Sequence, residues 1–485
     1  MDHGAVGFRN LRALPGALVF LAALLVAGCS GLQPIKEEAE APHNARPNII
    51  LIVTDDLDYA LAQRMDGIGS LLREEGATFG NAFVSYPLCC PARATVLTGL
   101  YAHNHGVWGN RPPDGGFETF REEGNEERTI AVRLQEGGYQ TALFGKYLNL
   151  YPDGDPTYVP PGWDEWHASV SSSTSYYDYE LNENGTVVFY GQKRGDYLTD
   201  VLSAKAVDFV RQAASDAGGS PFFAYLAPPA PHLPATPARR HRGTFAEEEV
   251  PRPPSFDEED ASDKPSWMRN ISRVSDETVS DIEDRHRKRM NSMLAVEEMV
   301  AALVGELEAA GVLDETYIFF TSDNGWQGGE HRIPLEKSWP YEESAHVPLF
   351  VRGPGVSPGA EVELLVLNTD FAPTFAELAG VEFAGDGRSL TPLLRGEDPA
   401  WRSAVLLEAS GEAGPPGYEA VRTWRHKYIE YVTGDRELYD LVTDPYEMES
   451  LHDSADPGLA EGLKARLEAL ANCSGESCRE AEDAP

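Results

Sequence analysis

The sequence has few basic residues, few cysteines and no apolar run of transmembrane length. Its 485 residues include 40 Lys and Arg against 78 Asp and Glu, which gives a net charge of −38 at pH 7. Nucleic-acid binding depends on a basic footprint, so this charge argues against it. The charge would also repel a polyanionic substrate at long range, unless the site itself is basic.

The chain begins with a pattern typical of a signal peptide. The apolar run Ala17–Ala27 is too short to cross a bilayer as a mature helix, and it follows the positive residues Arg9 and Arg12. The run leads into Val26-Ala27-Gly28-Cys29, which resembles the bacterial lipobox, where cleavage precedes a cysteine that becomes lipidated.

This resemblance implies a lipoprotein signal peptide over residues 1–28 and a lipid on Cys29. Residues 29–46 are rich in Glu, Ala and Pro, as expected of a tether. A plain cleaved signal or an uncleaved anchor is the alternative. Each version exports the protein, and the lipidated version places it on the membrane of a bacterium, facing outside the cytoplasm.

The other four cysteines form two pairs. Cys473 and Cys478 flank Ser-Gly-Glu-Ser near the C-terminus, and outside the cytoplasm they would close a small disulfide loop. Cys89 and Cys90 are adjacent and stand in a more informative segment.

Short apolar runs alternate with helical patterns along the chain. This alternation predicts an α/β fold with a large, mostly parallel sheet covered by helices on both faces. Four runs read as buried strands: Asn48–Val53, Thr141–Phe144, Pro221–Leu226 and Thr316–Phe320. Ligands bind at the carboxyl ends of such strands, so the residues that follow each run are candidates for one shared site.

Those residues are chemically suited to a site. The four runs are followed by Asp55-Asp56, Lys146, His232 and Asp323-Asn324 respectively. Each alone is equally consistent with a turn. Carboxylate and amide oxygens are hard ligands, so Asp55, Asp56, Asp323 and Asn324 favour Ca²⁺ or Mg²⁺ over Zn²⁺.

Residues 89–99 read Cys-Cys-Pro-Ala-Arg-Ala-Thr-Val-Leu-Thr-Gly. Pro91 suits the first turn of a helix, so Cys89 would lie at a helix start, where the backbone N–H groups favour an anion. The alternative is a pair of buried thiols before an ordinary helix.

This segment resembles the maturation signature of the type I sulfatases, in which the position of Cys89 becomes formylglycine (3-oxoalanine). The Cys-Cys-Pro-Ala-Arg form, Gly-Lys-Tyr-Leu-Asn and the stretch 260–270 look like the N-acetylglucosamine-6-sulfatase and arylsulfatase branch of the alkaline phosphatase superfamily. The similarity covers roughly residues 46–450.

The resemblance implies a sulfuric ester hydrolase. A formylglycine-generating enzyme would oxidise Cys89, and the aldehyde hydrate would attack sulfur and later expel sulfate. Residue 89 would join Asp55, Asp56, Asp323 and Asn324 around Ca²⁺, with Mg²⁺ as the other option.

The same resemblance gives roles to four further residues. Arg93 would hold the hydrate and the metal site, and Lys146 and Lys337 would neutralise the sulfate oxygens. His232 would contact the sulfate or protonate the leaving alcohol.

One departure from the family pattern concerns a base. Many sulfatases have Gly-Lys-x-His, whereas here Lys146 is followed by Tyr-Leu-Asn149. We expect Asn149 and His331 to bind substrate, although Asn149 forms hydrogen bonds and cannot act as a base. His331 would substitute for the missing group or belong to a polar loop. His103 and His105, just after the predicted helix, are expected to be structural.

We expect a catalytic domain over residues 47–395 and a smaller α+β subdomain with an antiparallel sheet over 396–472. Residues 473–485 would form a mobile acidic tail. The expected substrate is a glycan 6-O-sulfate or an aryl sulfate. A phosphonate monoester hydrolase or phosphodiesterase of the same superfamily, or a dead glycan-binding lipoprotein, is the alternative.

Overall fold

The computed structural model describes residues 46–170, 175–216, 219–412 and 414–484. The predicted signal peptide, the lipid site Cys29 and nearly all of the predicted tether lie outside these ranges. The described residues between 46 and 484 form one compact unit. No helix within the described ranges is long and apolar enough to cross a membrane.

Strand β1 (Asn48–Thr54) shows why the sheet is buried on both faces. Its seven residues are all buried, and alternate side chains point to opposite sides. Ile49, Leu51 and Val53 pack into one apolar cluster, whereas Ile50 and Ile52 pack into another. Full burial of one such side chain contributes about 1.5–3 kcal/mol, which favours a central position for this strand.

In the described part of the chain, the strands that follow β1 complete four sheets, one of which contains β1. Their bounds are β2 Ala77–Phe79, β3 Ala82–Phe83, β4 Gln140–Gly145, β5 Glu165–Ser169, β6 Tyr179–Glu183, β7 Thr186–Tyr190, β8 Phe222–Ala227, β9 Thr316–Ser322, β10 Gln327–Gly328, β11 Pro334–Glu336, β12 Leu349–Arg352, β13 Ala360–Val362, β14 Val366–Leu367, β15 Ala404–Ala409, β16 Tyr418–Thr423, β17 His426–Tyr431 and β18 Arg436–Asp440.

The large sheet has ten strands in the order β13-β2-β12-β9-β1-β8-β4-β5-β6-β7. Its central strands β9, β1, β8, β4 and β5 are mutually parallel. The four strands predicted from sequence are β1, β4, β8 and β9, so the prediction of a large, mostly parallel sheet is confirmed.

Helices cover this sheet and the smaller sheet formed by β15 to β18. Their bounds are α1 Tyr59–Ala62, α2 Asp66–Ile68, α3 Cys89–Thr98, α4 Ala102–His105, α5 Gly116–Glu122, α6 Ile130–Glu136, α7 Leu198–Ala214, α8 Asp276–Ala310, α9 Glu342–Ala345, α10 Phe371–Ala379, α11 Thr391–Leu394, α12 Pro457–Ala471 and α13 Glu476–Asp483. Helices α3, α6 and α10 contribute to the cluster on one face of β1, and α7 and α8 contribute to the cluster on the other.

Helix α8 has clear start and stop signals. The Ser275 hydroxyl accepts from Thr278 N–H at 3.2 Å, as an N-cap does, and Gly311 ends the helix in a left-handed conformation (φ 73°). These signals fix both ends of a 35-residue helix.

Strands β15 to β18 form the predicted antiparallel sheet, against which α12 packs. The predicted disulfide between Cys473 and Cys478 is present. The expectation of a mobile acidic tail is wrong, because α13 folds back and buries Glu482. That carboxylate pairs with Arg402 at 3.0 Å and Arg388 at 2.9 Å, which offsets the cost of its burial.

A buried carboxyl makes this small sheet sensitive to pH. Burial raises the pKa of Glu437 from 4.5 to about 7, although nearby Lys264 opposes the shift, and the Tyr341 hydroxyl donates to the carboxyl at 3.1 Å. The free energy of unfolding therefore falls as pH rises from 4.5 to about 7. We expect Glu437→Gln, which cannot ionise, to stabilise the protein by up to roughly 3 kcal/mol at pH 8 and to have little effect at pH 4.5.

Thermal unfolding at the two pH values checks this expectation. Glu430→Gln is the control: burial opposes its ionisation, but hydrogen bonds from the Tyr428 hydroxyl and then from Lys464 hold the pKa of Glu430 below its usual value. This control should gain nothing at pH 8. An equal gain for Glu437→Gln at both pH values would contradict the prediction.

Candidate active site

The carboxyl ends of the central strands bring the predicted residues together. Asp55 and Asp56 follow β1, and Asp323 and Asn324 follow β9, its hydrogen-bonded neighbour. Lys146 directly follows β4, and His232 lies five residues beyond β8. One edge of one sheet therefore supplies residues that are far apart in the sequence.

The loops after β1 and β9 are linked to each other. Asp56 N–H donates to Asp323 Oδ1 at 3.1 Å, and Asn324 Nδ2 donates to Asp56 Oδ1 at 2.8 Å. Ser322 Oγ accepts from Leu57 N–H at 2.9 Å. Asp56 is held in a left-handed backbone conformation (φ 64°), which non-glycine residues rarely adopt. The hydrogen bonds around it fix the position of its carboxylate.

Helix α3 presents Cys89 at its first position, as the sequence predicts. All ten residues of the helix are buried, and Pro91 lies in the first turn. The preceding residue makes no side-chain cap. Instead, Asn110 Oδ1 accepts from Cys90 N–H at 2.9 Å. Gly99 ends the helix with φ 64°, where a Cβ would meet the Phe383 ring at 3.0 Å.

Cys89 lies between the carboxylates and the cations. Its Sγ is 3.6 Å from Asp55 Oδ1 and 3.0 Å from Lys337 Nζ. Burial raises the pKa of the Cys89 thiol to about 12, despite Lys146 and Lys337. The thiol is therefore neutral at pH 7 and is a poor nucleophile in this form.

Three cations balance three carboxylates at the site. Lys146 Nζ lies 2.7 Å from Asp55 Oδ2, Arg93 Nε donates to Asp323 Oδ2 at 2.8 Å, and Lys337 contacts Asp56. Burial opposes ionisation of Asp55, but Lys146 and then His232 outweigh it and lower its pKa to about 2. The site is thus locally neutral in a strongly acidic protein.

Among the four predicted carboxylate and amide metal ligands, all of which lie in the described part of the chain, two buried side-chain oxygens have no hydrogen-bond partner: Asp56 Oδ2 and Asn324 Oδ1. Leaving buried polar atoms unsatisfied is costly, which favours a ligand that bonds to them. Ligand atoms of Asp55, Asp56, Cys89 and His232 also lie within 4.8 Å of one another. The unpaired oxygens and the carboxylates fit a hard divalent cation such as Ca²⁺ or Mg²⁺.

His232 lies at the rim of this cluster. Its Nε2 is 3.6 Å from Asp56 Oδ2, and its side chain is 25% exposed. Its Nδ1 is 2.6 Å from the carbonyl of Leu233, so Nδ1 carries a proton and donates. Nε2 therefore faces the site.

The two residues considered for the missing base differ in position. Asn149 lies next to Cys90, and its Oδ1 is buried without a hydrogen-bond partner. His331 instead contacts Glu258 at 3.0 Å, and its ring stacks on Tyr341 at 4.1 Å. These contacts of His331 lie outside the cluster around Cys89.

His103 and His105 have structural partners. His103 pairs with Glu408 at 2.9 Å. His105 contacts Thr95 Oγ1 at 3.1 Å, and burial lowers its pKa to about 3.

Sequence reasoning missed Asn110 and Ser322. Asn110 belongs to the loop Gly109-Asn110-Arg111, which shows no periodicity, and it reaches α3 only through the fold. Ser322 is the last residue of β9 and directly precedes the predicted ligand Asp323. Its position at a strand end was the signal that could have identified it as a site residue.

The fold and the site define a hydrolase of anionic esters. Its residue 89 lies at a helix N-terminus, beside a candidate divalent-metal site and three cations. The family model for sulfatases matches residues 47–381, and the model described as N-sulphoglucosamine sulphohydrolase, C-terminal, matches residues 329–472. The chain belongs to the sulfatase family, and it is a sulfatase.

Individual relatives agree with this family. N-acetylglucosamine-6-sulfatase of Homo sapiens is 35% identical over 514 residues, covering 96% of this chain and 91% of that protein. A solved structure in complex with its substrate D-Glucosamine-2-N, 6-O-disulfate is 26% identical with a TM-score of 0.74, covering 87% of this chain and 97% of that chain.

A third comparison bears on the alternative reaction. Phosphonate monoester hydrolase of Agrobacterium radiobacter has a TM-score of 0.69 and 23% identity, covering 88% of this chain and 95% of that chain. At that identity the likeness shows a shared fold alone.

Proposed function

We propose that the protein hydrolyses a 6-O-sulfate ester on a glucosamine-type sugar of a glycan, with residue 89 acting as formylglycine. The observation that carries this proposal is the placement of Cys89 at the start of α3, between Asp55 and Lys337. Two relatives support this substrate class, since one is an N-acetylglucosamine-6-sulfatase and the other is a structure with D-Glucosamine-2-N, 6-O-disulfate bound.

Oxidation by a formylglycine-generating enzyme would replace the neutral thiol of Cys89 with an aldehyde. Hydrated, this aldehyde would supply the oxygen that attacks sulfur. Arg93 is suited to orient this group, because its guanidinium is fully buried between Asp323 and the carbonyl of Lys146. Arg93 would thereby hold the side chain of residue 89 in one orientation.

Asp55, Asp56, Asp323 and Asn324 would hold Ca²⁺, or Mg²⁺ in its place, together with residue 89. The unpaired oxygens of Asp56 and Asn324 support this assignment. The cation would supply charge stabilisation and lower the pKa of a bound hydroxyl.

Lys146 and Lys337 would neutralise the sulfate oxygens as negative charge develops. Both ammonium groups are nearly buried, with side chains 11% and 13% exposed, so their field is little screened by water. This arrangement would bind an anionic ester despite the overall acidity of the chain.

We expect Lys337→Met and Lys146→Met each to lower kcat by roughly 10²–10³-fold, since each removes a fixed charge from the reacting group. Steady-state turnover of a sulfate ester measures the effect. Lys205→Met is the control, because Lys205 pairs with Glu183 instead of a predicted metal ligand. Unchanged kcat in both variants would refute the assigned role.

His232 would protonate the leaving alcohol from Nε2. Its partly exposed position at the rim fits contact with the sugar side of the ester, whereas the buried cations fit contact with the sulfate. The proton on Nδ1 is held by the carbonyl of Leu233, which orients the ring.

Matched sulfate and phosphate esters test the proposed reaction. We expect N-acetylglucosamine-6-sulfate to be turned over with a far higher kcat/KM than the 6-phosphate and than an aryl phosphonate monoester. Preferred turnover of the phosphonate would favour the phosphonate hydrolase alternative. Turnover of none of the three, with the sugar bound equally by wild type and Cys89→Ala, would favour the dead-lipoprotein alternative.

We also propose that the protein is lipidated on Cys29 and anchored on the outer side of a bacterial membrane. The lipobox resemblance supports this placement. Replacing Cys29 with alanine should block lipid labelling and keep the signal peptide uncleaved. Labelling that persists in this variant would refute the proposal.

A further inference from the structure

Arg289 is a buried arginine that contacts the backbone of the candidate metal ligand Asp56. It lies on α8 and is 4% exposed. Its Nη2 donates to the backbone carbonyl of Asp56 at 2.6 Å and to Asp58 Oδ2 at 2.8 Å. Its guanidinium also lies over the Trp326 ring, 5.3 Å from the centroid. These contacts hold the guanidinium in one place.

The backbone of Asp56 is fixed from both sides of the residue. Asp323 accepts its N–H, and Arg289 donates to its carbonyl. Because Asp56 has a left-handed conformation, the loop would relax toward ordinary φ values if either restraint were lost. Asp58 extends the restraint, since its other oxygen caps α1 by accepting from Leu61 N–H at 2.8 Å.

We infer that Arg289 is a positioning residue, which holds the strained loop at Asp56 so that Oδ2 of Asp56 would face the metal. The inference rests on the proposed metal site. Arg289 itself touches neither the reacting atoms nor a predicted ligand oxygen. It acts through the main chain of Asp56, which carries the carboxylate at a fixed angle.

Arg289 also lines a cavity of about 530 Å³, which makes this inference testable. Its lining includes Asp58, His286, Arg289, Trp326 and Glu330. Small cations in solution would therefore reach the place of a shortened side chain. A guanidinium ion would then restore the donors that Arg289→Ala removes.

The first test measures Ca²⁺ binding by calorimetry, with calcium chloride as the only probe. We expect Arg289→Met to weaken binding by roughly 10–100-fold and to lower kcat more than it raises KM. Arg285→Met is the matched control, since Arg285 lies one turn away on α8 and pairs with Asp281 at the surface. This control should bind Ca²⁺ like wild type.

The second test adds guanidinium chloride at millimolar concentration, below the denaturing range, to Arg289→Ala. We expect Ca²⁺ affinity and kcat to recover by several fold in this variant and to stay constant in Arg285→Ala. If the alanine and methionine variants do not fold, Arg289→Lys decides. A lysine keeps the positive charge but lacks the planar set of N–H donors of the guanidinium. The Arg289→Lys variant should therefore bind Ca²⁺ more weakly than wild type.

The outcomes separate this inference from the proposed function. Wild type that binds no Ca²⁺ or Mg²⁺ would remove the metal site and the inference with it. Wild type that binds Ca²⁺, with unchanged affinity in the folded Arg289 variants, would overturn the role of Arg289 alone. Weakened binding restored by guanidinium would establish it.

Discussion

Replacing Cys89 with alanine should abolish sulfate-ester hydrolysis, by roughly 10⁴-fold or more in kcat. The aldehyde formed at this position would be the only source of the attacking oxygen in the proposed reaction. Because Cys89 lies between Asp55 and Lys337, no neighbouring residue would supply another nucleophile at the same place. Turnover of N-acetylglucosamine-6-sulfate measures the loss.

The adjacent cysteine provides the matched control. Cys90 is buried with its N–H bonded to Asn110, and burial raises the pKa of its thiol to about 12. Cys90→Ala should retain most activity. Mass spectrometry of the peptide spanning residue 89 should show an aldehyde in wild type and in Cys90→Ala. Active wild type that carries an intact thiol at residue 89 would rule out the formylglycine mechanism.

Asp323→Asn should lose divalent-metal binding by at least about 10²-fold and kcat by roughly 10³-fold. Asp323 is fully buried, accepts the N–H of Asp56 and pairs with Arg93. Its neutral isostere would remove the negative charge that both the metal and Arg93 require. Calorimetric titration with Ca²⁺ and then with Mg²⁺ measures the loss and shows which ion wild type prefers.

Asp314→Asn is the matched control, because Asp314 is exposed just before the opposite end of β9. Chelation of wild type should abolish activity, and added Ca²⁺ should restore it. Full activity of wild type after exhaustive chelation would contradict the metal assignment, whatever the effect of Asp323→Asn.

The sequence predicted the sheet and the grouping of the site well because both depend on local patterns. Continuous apolar runs mark β1, β4, β8 and β9, and parallel strands share one carboxyl edge. The residues just past those strand ends, together with Cys89, therefore meet around one place.

What the sequence did not show depends on contacts between distant segments. Arg289 is 233 positions from Asp56, and nothing in the helical pattern of α8 distinguishes it from the exposed arginines of that helix. Asn110 caps a helix to which it does not belong. The acidic C-terminal residues read as a solvated tail, because their pattern did not reveal that Arg402 and Arg388 would pair with Glu482.

The burial of α3 restricts when residue 89 could be oxidised. Its ten residues, which include Pro91 and Arg93 of the maturation signature, face the interior, and Cys89 is 1% exposed. In the proposed mechanism, an enzyme that oxidises residue 89 would have to reach this segment before it is buried. Conversion would then take place while the chain is still unfolded. A molecule that folded first would keep the thiol, so the active fraction of a preparation would report how much of the chain was oxidised before it folded.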